Sequence, residues 1–307
     1  MSPAGSGRSA RWAAEAADSF FPRSRSRLFF LFSCLLPALL GCASADKPPA
    51  APGALVSLWS AHGGPGSWKR HEAASFSYRA VLGRSGVRLE IPRVAIRLRD
   101  PGRLWVRAEP DAAPELVDLR GPPGSVLDAL SRFLESSRDV SREDGEDLEL
   151  AVRALPYLFG IPLAASSGPW EFRTLAAPSD IPVPGDIEVA PLGPAPIGGC
   201  VLFANGSTGL LAKAVYARRF PVPRKEPRVV SFERPVRVGD VTLFSRRIHE
   251  ESRKPEPERV LFSSAREAAP REPWTLEEDL SGIALIEGKE AVAVECPPPP
   301  ESPGAVP

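Results

Sequence analysis

The chain has 307 residues, 43% of them hydrophobic, and equal numbers of basic and acidic side chains. This composition is typical of a globular protein, and it offers no surplus of positive charge for a nucleic-acid partner. Proline is abundant, at 36 residues, and favours strands and turns over long helices.

Residues 1–41 have the layout of a secretory signal. Five arginines and two acids come first, and an uncharged apolar run, Leu28–Leu40, follows them. At thirteen residues, this run is too short to cross a bilayer core as a helix, which takes about 20 residues. A basic flank before a short apolar run is the secretory pattern. We therefore predict a signal peptide over residues 1–41, with an uncleaved anchor or an ordinary cleaved signal as the alternatives.

The apolar run ends at Leu39-Leu40-Gly41-Cys42, which resembles the lipobox of bacterial lipoproteins. The resemblance implies cleavage between Gly41 and Cys42, a diacylglycerol thioether on Cys42 and acylation of the new amino group. Several acyl chains give stable membrane anchoring. Ala43 and Ser44 follow the cysteine. By common sorting rules, the lack of Asp at these positions implies the outer membrane, with the protein facing the periplasm.

Residues 42–53 are predicted to be the lipidated cysteine and a flexible tether. The eleven residues after Cys42 reach roughly 35 Å when extended, so the domain lies close to the membrane. The folded domain is predicted over residues 54–296. The proline-rich tail, residues 297–307, is predicted to be disordered.

Alternation of apolar and polar side chains predicts many short strands in the domain. After Pro92 this alternation slips by one residue, which predicts a bulge or an edge strand. Asn205–Gly209 and Gly239-Asp240 are predicted to be hairpin turns. The predicted strands are Ser75–Leu82, Val87–Leu98, Leu104–Glu109, Glu115–Arg120, Trp170–Leu175, Cys200–Ala204, Leu210–Phe220, Val229–Glu233, Val236–Arg247, Arg259–Ser264, Ile283–Ile286 and Ala291–Glu295.

Three helices are predicted among these strands. Ala54–His62 comes first and is stopped by Gly63-Gly64. Ser125–Ser136 and Asp144–Phe159 each carry a single apolar stripe, as expected of helices that cover a sheet.

Five segments occur in one order along the domain: Ala61–Trp68, Arg103–Val106, Leu155–Leu163, Leu202–Tyr216 and Val236–Arg247. Together they resemble the LolA/LolB-like lipoprotein-carrier superfamily. The resemblance implies an α+β fold: a strongly curved antiparallel sheet, an unclosed half-barrel, with a few helices covering the concave face. It also implies an apolar cavity, which holds acyl chains in the better-known relatives. The proline-rich stretch Pro178–Gly198 departs from the pattern and is predicted to be an insertion.

Aromatic and apolar side chains of the predicted helices are the candidates for that cavity. We expect Phe133, Leu158 and Phe159 to face inward and line it. Six large aromatic residues either line a cavity or pack a core: Trp59, Trp68, Trp105, Trp170, Phe133 and Phe159.

The polar residues point to structure rather than to chemistry. His62 ends a helix and is predicted to be a capping or packing residue. His249-Glu250-Glu251 is predicted to lie in a solvated charged loop, and the acidic run Ser141–Asp147 to be a solvated helix start rather than a calcium site. Cys200 and Cys296 could form a disulfide in an oxidising compartment. No metal site, cofactor or catalytic set is predicted.

These observations predict a membrane-anchored envelope lipoprotein that is not an enzyme. Its predicted ligand is a lipid or acyl chain, bound in the concave sheet. The alternative is a structural or interaction lipoprotein whose sheet is filled by its own side chains and whose surface recruits an envelope partner.

Overall fold

A computed structural model describes residues 53–135, 140–166, 170–173, 187–191, 195–220, 227–251 and 274–299. Several predictions concern residues outside these ranges. They are the signal peptide, Cys42, the tether before residue 53, the strand predicted at Arg259–Ser264 and the tail beyond residue 299.

Two short helices, α1 (Gly53–Ala61) and α2 (Gly64–Lys69), open the described part. Gly63 lies between them with a φ of 100°, in the left-handed region that glycine tolerates best. A side chain at Gly63 would also collide with the backbone carbonyl oxygen of Asp240. Glycine is therefore needed here for both its backbone freedom and its lack of a side chain.

The described strands form one open sheet in which every neighbouring pair is antiparallel. They are β1 (Ala73–Leu82), β2 (Arg88–Arg97), β3 (Asp100–Arg107), β4 (Glu115–Asp118), β5 (Leu134–Glu135), β6 (Trp170–Arg173), β7 (Ile187–Pro191), β8 (Ile197–Ala204), β9 (Leu211–Arg218), β10 (Pro227–Val238), β11 (Val241–Glu251) and β12 (Thr275–Ile286). Their order is β4-β3-β2-β1-β12-β11-β10-β9-β8-β7-β6, and the short β5 pairs with the start of β2.

The phase slip predicted at Pro92 is confirmed as a bulge. Phe76 of β1 pairs with Val94, whereas Tyr78 pairs with Ile91, so β2 carries one extra residue around Pro92. Because β2 lies between β1 and β3, this proline is not on an edge strand. Bulges bend and twist a sheet, which favours curvature at this point. Both predicted hairpin turns are confirmed as well, between β8 and β9 and between β10 and β11.

The two faces of the sheet are covered differently. On the inner face, alternate residues of β1 and β2 join the main hydrophobic core with α4 (Arg142–Phe159) and the short α3 (Ser125–Ala129). On the outer face, α5 (Lys289–Glu295) packs Val292 against Trp105 in a small separate cluster. The predicted α+β fold, an unclosed antiparallel sheet with helices on its inner face, is confirmed.

Two element predictions were wrong in part. The helix predicted at Ser125–Ser136 ends at Ala129, because Leu134 and Glu135 pair with β2. Ala291–Glu295 is helical, although its alternation resembles a strand; Val292 and Cys296, four residues apart, are both buried against the outer face, as in a helix. The insertion at Pro178–Gly198 stays a prediction, and within that stretch residues 187–191 form β7 of the main sheet.

The disulfide that Cys200 and Cys296 could form is not present in the structure. Cys200 lies on β8 in the main core, whereas Cys296 follows α5 in the outer cluster, so the sheet separates the two thiols. None of the helices in the described part of the chain combines the length and the apolar content needed to cross a membrane.

Candidate functional site at the mouth of the curved sheet

Helix α4 is fixed to the sheet by one buried carboxylate. Asp147, 2% exposed, accepts hydrogen bonds from Arg218 at 2.9 Å, Arg228 at 2.9 Å and the Trp274 indole at 2.7 Å. Two arginines from β9 and β10 thus hold the helix over the inner face. Hydrogen bonds between ionised groups are the strong ones, so this contact fixes the position of α4.

The start of α4 is less solvated than predicted. Ser141 caps the helix by accepting a hydrogen bond from the Asp144 backbone N–H at 3.1 Å. The Asp144 carboxylate is buried and pairs with Arg84 at 2.7 Å. The acidic run therefore binds arginines of the sheet, which its sequence pattern alone could not show.

A second carboxylate joins α4 to α3. Glu149 accepts hydrogen bonds from the backbone N–H groups of Gly124 at 2.7 Å and Val126 at 3.3 Å, at the start of α3. It also pairs with Arg153 at 2.6 Å, one turn along α4. Arg153 in turn donates to the backbone oxygens of Leu119 and Pro122. The side of α4 that faces β4 is therefore tied to the chain that follows that strand.

A cleft of about 310 Å³ opens beside this part of α4. We call it the mouth cleft. Six strands lie between β3 and β8 in the sheet order, yet residues next to both strands line the same cleft. The sheet must therefore curve strongly enough for its two ends to approach each other across α4. The lining residues are Pro101, Gly102, Leu119, Arg120, Gly121, Arg153, Tyr157, Ala195, Pro196, Arg219 and Phe220.

The floor of the mouth cleft is apolar. Leu119 and Tyr157 are buried, and Phe220 is half-buried. The Arg153 guanidinium lies over the Phe220 ring, 4.2 Å from its centroid, which joins the two sides of the cleft. Burial raises the pKa of the Tyr157 hydroxyl, so this side chain stays neutral. The floor can accept apolar groups without leaving a charge uncompensated.

A larger groove, about 610 Å³, lies on the outer face. Outward-facing residues of β1, β2 and β12 line most of it, and three residues of the main core, Tyr78, Ile91 and Phe133, also border it. We call it the outer groove. Its charged lining residues have both signs: Arg79, Arg132, Glu90, Glu135 and Asp279. Arg79 lies 3.4 Å from Glu90 and 3.9 Å from Asp279, so much of this charge is already paired.

The three residues predicted to line an inner cavity are all buried in the main core. Phe133 borders the outer groove, with the Arg132 guanidinium 4.7 Å from its ring centroid. Phe159 is stacked on Phe76 at 5.0 Å between centroids, and Leu158 is buried in the same core. Neither Leu158 nor Phe159 lines the mouth cleft, to which α4 contributes Arg153 and Tyr157 instead.

The tryptophans of the candidate list pack the core. Trp59 and Trp170 donate indole hydrogen bonds to the backbone oxygens of Pro162 and Tyr157, both at 3.1 Å. Trp105 donates to the Pro297 oxygen at 3.1 Å on the outer face. Trp68 is buried in the main core. A hydrogen-bonded indole is the ordinary state of a buried tryptophan.

A layer of polar side chains is buried inside the sheet. His249 was predicted to lie in a solvated loop, but β11 extends to Glu251 and buries it. Tyr216 donates to His249 at 2.9 Å, His249 donates to Glu278 at 2.6 Å, and Tyr78 donates to Glu278 at 2.6 Å. Arg247 lies 2.9 Å from the same carboxylate.

The electrostatics of this layer favour a structural role. Burial alone would raise the pKa of Glu278, but Arg247 and His249 hold it at about 2. The series of hydroxyl, imidazole and carboxylate has the order of a catalytic set. Tyr216, His249 and Glu278 are, however, each at most 2% exposed, so a substrate cannot reach them in this structure. Among the described residues, no three metal-binding side chains come together either.

His62 has the packing role that its position predicts. Its Nδ1–H donates to the Thr242 oxygen at 2.8 Å, and its Nε2 accepts from the Leu211 backbone N–H at 3.0 Å. One N–H and one lone pair are both in use, so the ring is neutral. Burial lowers its pKa, in agreement with that state.

Comparisons with known proteins give distant structural likenesses. No family model and no curated protein matches the chain. A DUF1329 family protein from Desulfovibrio piger is 11% identical with a TM-score of 0.34, over 76% of this chain and 93% of that one. A LolA superfamily protein from Nitrosomonas europaea is 10% identical with a TM-score of 0.32, over 72% and 88%. An outer membrane lipoprotein-sorting protein domain from Vibrio parahaemolyticus is 9% identical with a TM-score of 0.36, over 76% and 96%.

At these identities and TM-scores, the ligand of this chain has to be argued from its own side chains.

Proposed function

We propose that this protein is an envelope lipoprotein that binds an acyl chain of a lipid in the mouth cleft. The observation that carries the proposal is the apolar floor of Leu119, Tyr157 and Phe220, open to the surface where the two ends of the sheet meet. A volume of about 310 Å³ lies at the lower end of the range of small-molecule sites, about 300–1,000 Å³.

Two physical features support apolar binding at this place. The cleft is preformed, because α4 is held by Asp147 and Glu149 rather than ordered by the ligand. Preformed sites lose less affinity to ordering. Each methylene group that leaves water contributes about 0.8 kcal/mol, so a chain that inserts six methylenes gains roughly 5 kcal/mol.

The anchor is the second part of the proposal. The basic flank, the apolar run and Cys42 favour lipid attachment at that cysteine, in the outer membrane and facing the periplasm. A short tether would then keep the start of the domain within about 35 Å of the membrane surface, where acyl chains are abundant.

Native mass spectrometry of residues 42–307 carrying Cys42→Ser tests the binding. Residues 42–307 include every residue that the structure describes. We expect a bound lipid in the protein as purified from cells, loss of that mass on delipidation, and its return when a fatty acid is added. Delipidated protein that never takes up fatty acid would contradict the proposal.

Phe220→Asp provides the matched test of position. This change places a charge on the floor of the cleft, so uptake of a fluorescent fatty acid should fall at least about tenfold. Leu127→Asp is the control, because Leu127 is also half-buried but borders a different depression beside α4. If both variants lose the same amount of fatty-acid uptake, in proportion to their loss of folding stability, the effect is due to folding alone.

An interaction role is the second candidate. The inner face is well filled at Phe76 and Phe159, and the outer groove presents charges of both signs to solvent. Absence of lipid in the native spectra, together with a protein partner whose binding is lost on Arg132→Glu, would favour this role. Arg132 borders the outer groove and pairs with Glu115 at 2.8 Å.

A further inference from the structure

Two exposed arginines flank the mouth cleft from opposite ends of the sheet. Arg120 follows β4, and its side chain is 65% exposed. Arg219 follows β9 and is also exposed. Both line the cleft, next to the apolar floor. A ligand lying on that floor would have one guanidinium on each side.

Each of these arginines lies against a glycine of a neighbouring strand. A methyl group added to Gly102 would occupy the place of the Arg120 guanidinium. A methyl group added to Gly198 would lie 3.3 Å from the Arg219 Nε. A side chain at Gly102 would displace the Arg120 guanidinium, whereas one at Gly198 would only crowd the Arg219 side chain. Glycine at these two positions thus leaves room for both arginine side chains beside the cleft.

The charge around the cleft is positive. No acid is among its lining residues. Arg153 is compensated by Glu149, and Arg120 lies 3.0 Å from Asp100, but Asp100 is shared with Arg103 at 3.5 Å. Arg219 is exposed, and within the described ranges it forms no ion pair. The outer groove differs, because three acids and two arginines line it.

We infer that the ligand of the mouth cleft is an anionic amphiphile, whose phosphate or carboxylate head binds between Arg120 and Arg219 while its apolar tail lies on the floor. The inference rests on the proposed function and names the class of ligand. A guanidinium presents a planar fork of N–H donors that fits carboxylate and phosphate oxygens with two parallel hydrogen bonds. A neutral or cationic head group would form no ion pair with the two guanidinium groups.

A matched series of ligands separates head from tail. Residues 42–307 with Cys42→Ser are titrated with dodecyl phosphate, dodecanol and inorganic phosphate, each below any micelle-forming concentration. Dodecyl phosphate should bind at least about tenfold more tightly than dodecanol, and its affinity should fall as salt rises. Inorganic phosphate should bind far more weakly than dodecyl phosphate, because it lacks the tail.

Variants assign the head group to the two arginines. Arg120→Gln with Arg219→Gln should remove the advantage of dodecyl phosphate over dodecanol. Gly102→Ala should weaken dodecyl phosphate alone by displacing the Arg120 side chain, which is flexible enough to move without unfolding the strand. Arg142→Gln is the control, because Arg142 is 93% exposed and lies outside the mouth cleft.

The other outcomes overturn the inference in distinguishable ways. Equal binding of dodecanol and dodecyl phosphate, unaffected by the arginine variants, would overturn the head-group assignment and leave the proposed function standing. No binding of either alkyl ligand would overturn both. Inorganic phosphate that binds as tightly as dodecyl phosphate would make the cleft a free-anion site.

Discussion

His62 illustrates how a buried polar side chain ties a helix to the sheet. It follows α1 and bridges Thr242 and Leu211 on two hairpins. Its pattern in sequence, a histidine before two glycines, was enough to predict a packing role. Its two partners lie 149 and 180 residues away, so the sequence could not identify them.

His62 should make stability depend on pH. Burial lowers its pKa below the ordinary value of 6.5, so the unfolded chain takes up a proton that the folded chain refuses. Its contribution is complete above pH 6.5 and is lost as the pH falls below that value, by at most about 1.4 kcal/mol per pH unit. Urea unfolding at pH 7.5 and 5.5 measures the loss, and His62→Gln should reduce it. An unchanged pH dependence in the variant would contradict the assignment.

Glu278 should be among the most costly residues to replace. Its pKa is lowered from 4.5 to about 2, so its stabilising contribution is present above pH 4.5 and is lost as the pH falls towards 2. Glu278→Gln leaves the buried Arg247 without its carboxylate and should cost about 3–5 kcal/mol in urea unfolding.

Glu277→Gln is the matched control for that change. Glu277 is the neighbouring residue, its side chain is 44% exposed, and it pairs with Arg246 at the surface. Its replacement should cost less than about 1 kcal/mol. Equal costs at the two positions would show that the buried layer does not stabilise the fold.

At the scale of elements, the sequence predicted those helices and strands whose apolar pattern lies within one segment. The apolar stripe of α4 and the alternation of β1 and β2, including the slip at Pro92, lie within single segments. Prediction failed where a distant partner decides: β5 forms because β2 accepts it, and α5 is a helix because the outer face buries only one side of it. Tertiary context overrides intrinsic propensity in such segments.

Asp147→Asn should loosen α4 from the sheet. The change leaves the buried Arg218 and Arg228 short of their shared counter-charge and should cost about 3–5 kcal/mol. Amide hydrogen exchange should rise first in α4, whereas the β1–β12 pair keeps its protection. Glu143→Gln, at an exposed acid of the same helix turn, should change neither measurement. A uniform rise in exchange across the sheet would mean that Asp147 supports the whole core rather than the docking of α4.

At the scale of the whole molecule, the curved sheet was predictable and the site was not. The sequence motifs implied a half-barrel with helices on its inner face, and the structure has this architecture. The mouth cleft, however, takes Gly102, Leu119, Tyr157 and Phe220 from four separate segments. These four residues come together because the whole sheet is curved, and the degree of curvature cannot be predicted from any one segment.

Lipid attachment is the whole-molecule property that Cys42 predicts. Cys42→Ala should abolish incorporation of radiolabelled palmitate and release the protein from the membrane fraction, because anchoring depends on the acyl chains. Cys200→Ala is the control, since Cys200 is buried in the main core. Labelling of the Cys42→Ala protein at the wild-type level would contradict the anchor.

Photo-crosslinking with a diazirine-bearing fatty acid tests the central claim most directly. Residues 42–307 with Cys42→Ser are irradiated with the probe, and the labelled peptides are identified by mass spectrometry. The mouth cleft predicts label on the peptides that carry Leu119, Tyr157 and Phe220, with loss of that label when unlabelled dodecyl phosphate competes. Label concentrated around Pro92 and Phe133 in the outer groove, or label that dodecyl phosphate does not displace, would contradict it.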